Sequence, residues 1–70
     1  MYLVYHSGSE AKWCKSKLDV IRHLCEIYGW EFEHVYERLW DILSKMYLFS
    51  VVRDMNLGLS IEKVSTGDTN

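Results

Sequence analysis

The sequence predicts a small α+β domain: two principal helices followed by a β-hairpin, with the N-terminal segment as a candidate third strand. Three observations carry this. Apolar residues recur at three- and four-residue steps up to Tyr28. A second, broader apolar arc runs from about Glu31 to Lys45. The period then drops to two.

Taken in order, MYLVYH suits a short strand or an extended arm, and Ser7, Gly8 and Ser9 break it. Ser9 is a plausible helix cap. Ser16 with Asp19 offers a second start in the manner of a capping box. Leu18, Ile21, Leu24, Cys25 and Tyr28 then share one helix face, and Gly29 supplies a stop because it tolerates the left-handed conformation. The pattern leaves open whether residues 9–28 form one helix or two short ones. On a wheel at 100° per residue, Ile42, Val35, Met46, Leu39, Phe32, Leu43, Tyr36, Tyr47 and Trp40 fill an arc of roughly 160°. So broad an arc predicts more than one neighbour for the second helix.

After Met46, the stretch YLFSVVRD is aromatic and β-branched, which favours strand. MNLG reads as a turn, with Asn56 and Gly58 able to take positive φ. LSIEKV alternates again, with Leu59 and Ile61 inward and Ser60 and Glu62 outward. One domain over residues 1–65 is expected, with a disordered polar tail at residues 66–70.

Seventy residues bury only a modest core, so a chain of this size gains from a second subunit or another staple. The 14% aromatic content is high enough to leave aromatics over for an interface. A formal charge of −2 gives no global attraction to phosphate or anionic lipid. The start carries no basic lead-in and no long apolar run of the kind a signal peptide needs. The apolar stretch from Met46 to Val52 is too short to span a bilayer. Two cysteines make no disulfide framework, and eleven residues apart on one helix they would stand roughly 16 Å from each other. A reducing intracellular (cytoplasmic) setting is expected, with no membrane partner.

This order of elements resembles the winged helix-turn-helix superfamily over about residues 16–65. The marks are Cys25 as the small residue at the helix crossing, Gly29 at the turn and Trp30 after it. Val35, Leu39 and Ile42 match the buried face of a recognition helix. Tyr47, Leu48 and Phe49 lead into a first wing strand, with MNLG as wing tip. The resemblance implies either a DNA-binding transcription regulator or a protein-docking module. Cysteine at the crossing and tryptophan after the turn depart from the usual pattern, and the first helix of the three-helix core is poorly marked.

Charge bears on that choice. A groove-reading helix presents its first exposed turns to bases and phosphates. Here residues 31–41 hold Glu31, Glu33, Glu37 and Asp41 against Arg38, a local charge of −3. Glutamate can accept from cytosine but cannot neutralise a phosphate. The bases lie elsewhere: Lys12, Lys15, Lys17 and Arg22 against Asp19 give +3, and Arg53 sits near the wing tip. The basic segment reads as a solvated helix face, as a complement to the −3 segment in self-association, or as a phosphate-docking patch.

Metal and catalytic chemistry find little support. Cys14 and Cys25, and likewise His23 and His34, are eleven apart, which matches no zinc-finger spacing. Cys25 has apolar neighbours and no group to stabilise a thiolate. Glu33 and Glu37 lie one turn apart on an exposed face with little depth for a pocket. The scattered glycines form no phosphate loop.

The sequence therefore reads as a non-catalytic protein-interaction module without a cofactor or a small-molecule substrate. Its size suits a small regulatory or inhibitory protein of the sort viruses and mobile elements carry. The contact residues expected are Glu33, Tyr36, Glu37, Trp40 and Trp30, with a partner protein or a second copy as the occupant. Tyr36 and Trp40 anchor this reading unless Tyr2, Val4 or Trp13 of the N-terminal arm covers them. The alternative is a dimeric winged-helix DNA-binding regulator that uses Lys12, Lys15, Lys17 and Arg22 on a basic first helical segment, with Arg53 on the wing.

Overall fold

A computed structural model describes residues 1–65 of the chain, so the expected disordered tail lies outside the described residues. The order is β1 (Tyr2–His6), β2 (Lys12–Cys14), α1 (Lys17–Tyr28), α2 (Phe32–Ser44), β3 (Val51–Asp54) and β4 (Leu59–Lys63). The α+β class holds. The four strands form one antiparallel sheet in the order β2-β1-β4-β3.

Two turns set the sheet's register. Gly8 takes φ 85° in the turn after β1, and the Ser9 amide donates to the His6 carbonyl at 3.0 Å. Ser9 thus closes a turn and caps no helix. In the second turn, Asp54 Oδ1 accepts from the Asn56 and Leu57 amides, and Gly58 takes φ 64°. Asn56 needs no positive φ, because the Asp54 side chain shapes the turn instead. The two turns are tied together where the Ser7 amide donates to the Gly58 carbonyl at 2.9 Å.

Strand alternation puts Tyr2, Val4, Cys14, Leu59 and Ile61 on the buried face. The opposite face presents Tyr5 and Trp13, both more than half exposed. β2 escapes the sequence reading because three residues are too few to show a period. It leaves residues 9–28 with a single helix, α1. Ser16 caps that helix by accepting from the Asp19 amide, and Gly29 ends it at φ 69° with its amide on the Cys25 carbonyl.

β3 also starts later than expected. Ser50 directs both its amide and its hydroxyl to the Tyr47 carbonyl, and Phe49 takes φ 66°. Residues 47–49 are therefore a turn, which leaves Tyr47 and Phe49 largely exposed.

α1 packs on β1, β2 and α2, whereas the α2 backbone comes close to α1 alone. Val35 and Leu43 of the apolar arc, with Met46 just beyond the helix, are buried, while Ile42 at one end of the arc and Phe32 and Tyr36 on the first turns stay exposed. The core joins these buried residues to Val20, Ile21 and Leu24 of α1 and to the inward strand residues.

Candidate functional site

α2 bears two separate surfaces. On one flank, Phe32, Tyr36 and Trp40 follow one another at four-residue steps, so they stack up the helix side. Phe32 and Tyr36 ring centroids lie 5.9 Å apart, tilted by 31°. Tyr36 and Trp40 lie 4.9 Å apart and nearly parallel, at 19°. Glu33 and Glu37 run beside the ladder, and with Phe32 and Tyr36 they line a shallow depression of about 300 Å³.

The foot of α1 fixes the upper end of the ladder. Lys17 Nζ stands 4.7 Å from the Trp40 ring centroid and donates to Ser44 Oγ at 3.3 Å. Ser44 Oγ in turn donates to the Trp40 carbonyl at 2.7 Å. The lysine also brings positive charge to the C-terminal end of α2, where the helix dipole favours it. Trp40 is half-buried as a result, while Tyr36 and Phe32 remain exposed. Tyr2 and Val4 are sealed in the core and Trp13 is exposed on β2, so the N-terminal segment is committed to the sheet.

The other flank of α2 faces the β3–β4 hairpin across an open cleft of about 650 Å³. Leu24, Leu59 and Ile61 contribute to its deep part, Val35, Leu39 and Ile42 to the helix wall, and Val52 and Leu57 to the hairpin wall. Trp30 belongs here and not with Tyr36 and Trp40. It stacks on Tyr28 at 4.3 Å, and Tyr28 takes the His6 ring edge-on at 5.1 Å. The Tyr28 hydroxyl is buried without a hydrogen-bond partner among the described residues, and burial raises its pKa, helped by the Asp54 charge.

The basic residues do not form one helical surface. Lys12 lies on β2, Lys15 in the link, Lys17 at the first position of α1 and Arg22 within α1. Arg53 is on β3, next to the cleft. The expected basic helical segment is thus spread over a strand, a link and a helix, and one of its members is engaged with Trp40. On α2, Asp41 is paired with Lys45 at 2.9 Å, which removes it from the free acidic strip.

Among the described residues, no three His, Cys, Asp or Glu side chains come together as a metal site. Both cysteines are free thiols. Burial, reinforced by Asp19, pushes the Cys14 pKa up to about 11, the opposite of what a nucleophile requires. The His23 pKa is lowered, first by burial and then by Lys12. No described helix is long and apolar enough to cross a membrane. Sequence reasoning found Tyr36 and Trp40 but passed over Phe32, the first rung, although the four-residue spacing was visible. The cleft left no such signal, because it depends on how far α2 stands from the hairpin.

Comparison with protein-family models, curated proteins and solved structures finds no significant match to this chain.

Proposed function

We propose that this chain is a non-catalytic docking module, a small regulatory or inhibitory protein that binds a partner protein through the aromatic flank of α2. The observation that carries this is the stacked Phe32–Tyr36–Trp40 ladder on the flank of α2, with Phe32 and Tyr36 exposed and Trp40 held at its upper end by Lys17. Rings already held by their neighbours lose little freedom on binding, and tyrosine and tryptophan make strong interface anchors. Glu33 and Glu37 beside them select a partner surface that carries lysine or arginine. Reading of a DNA groove by this helix gains no support from its exposed charges, and Lys12, Lys15, Lys17 and Arg22 are divided among β2, the link and α1.

The test is quantitative capture on the immobilised chain, with Tyr36→Ala and Trp40→Ala as separate variants and random duplex DNA as a control ligand at low salt. Loss of the same retained proteins from both variants supports the docking reading. Retention unaffected by either variant, or micromolar DNA binding with a steep salt dependence, opposes it.

A further inference from the structure

The cleft between α2 and the hairpin opens beside β3, which is an edge strand of the sheet. An edge strand carries a row of unpaired backbone groups, and it is a template for another strand. Here the template lies next to an apolar cleft whose lining includes its own Val52. We propose that β3 pairs antiparallel with β3 of a second copy of this chain, centred on Val52 against Val52 of the other copy. This surface lies on the opposite flank of α2 from the aromatic ladder, so the inference stands independently of the docking function.

The register follows from strand parity. Val52 pairs with the buried Ile61 and shares the core face, while Val51 and Arg53 point to the other face. A twofold axis through the Val52 pair keeps the two core faces on the same side, so the two clefts meet across the axis. A shift of one residue would set the core face of one copy against the outer face of the other. Centring on Arg53 would place two arginines directly opposite, which is unfavourable. Centring on Val51 would draw in Phe49, whose φ of 66° ends the extended backbone.

Charge fits the same register. Arg53 of one copy lies opposite Val51 of the other, and Val51 pairs within its own chain with Glu62. Arg53 and Glu62 make no ion pair among the described residues. In the dimer each arginine is separated from the other copy's glutamate by Val51, roughly 10 Å between Cα atoms at the usual strand spacing. A long arginine side chain reaches that far, and symmetry gives the contact twice.

Light scattering over a concentration series, with circular dichroism to confirm folding, tests this on the full chain and three variants. The expected mass is twice the 8.3 kDa of one chain. Arg53→Glu and Glu62→Arg should each weaken the dimer by about tenfold or more through like-charge repulsion. The double variant, R53E with E62R, should restore it. A monomer at every concentration overturns the proposal, and so does a dimer indifferent to both reversals, which would place self-association elsewhere. A different extended peptide adding to β3 would leave the free chain monomeric, which also counts against it.

Discussion

Lys17 Nζ sits over the Trp40 ring at 4.7 Å, so the first residue of α1 holds the last turn of α2. The same ammonium reaches Ser44 Oγ, which bonds back to the Trp40 carbonyl. Replacing Lys17 with methionine keeps much of the stem and removes the charge. A loss of about 0.5–1 kcal/mol is expected, which a thermal melt would register as a fall of several degrees in a domain this small. An unchanged melt would mean the lysine contributes nothing there.

Gly58 has a stricter requirement than Gly29. Both take positive φ, but a Cβ on Gly58 would lie 2.5 Å from Ser7 Cβ, whereas one on Gly29 meets nothing within 4 Å. Gly29→Ala should cost about 1 kcal/mol, from the left-handed backbone alone. Gly58→Ala should cost clearly more in urea unfolding. Ser7→Gly in the Gly58→Ala background should recover part of the difference, because it removes the clashing atom. Equal losses at the two glycines would count against this packing of the turns.

Phe49 is largely exposed yet holds φ 66°, a conformation that strains a non-glycine residue. Phe49→Gly should therefore raise stability by up to about 1 kcal/mol. The measurement is the midpoint of denaturant unfolding. A marked fall would show that the ring contributes more packing than its exposure suggests.

Cys14 makes stability sensitive to alkali. Its folded pKa of about 11 lies above the ordinary thiol value of 9.0. The native state thus holds this proton more tightly than the unfolded chain does. The resulting stability is complete below pH 9 and declines as pH rises towards 11. Cys14→Ala should flatten that decline, at some cost in core packing. In the native protein, a thiol reagent at neutral pH should modify the partly exposed Cys25 before the buried Cys14.

Much of the fold was legible in the sequence, for definite physical reasons. Ser16, Asp19 and Gly29 bracket α1 with local chemistry that needs no tertiary context. Leu59 and Ile61 mark β4 by strict alternation. β2 was not legible: Trp13 and Cys14 show one alternation, and only pairing with Leu3 and Tyr2 makes it a strand. The sequence also assigned Tyr47–Phe49 to a strand on β-propensity, and the hydrogen bonds of Ser50 override it. At the site, the wheel found the apolar arc on α2 but not where it divides. That division depends on α1 covering the middle of the arc and on the hairpin standing off from Ile42, which are both tertiary facts.

The most direct test of the docking assignment is a side-by-side capture experiment with the native chain and a triple variant, Glu33→Lys, Glu37→Lys and Trp40→Ala. Quantitative mass spectrometry would compare the retained proteins, and circular dichroism would confirm that the variant folds. The proteins retained by the native chain should be lost from the triple variant and kept by Arg53→Glu, which alters a different surface. The same proteins retained by native and triple variant alike would contradict the docking assignment.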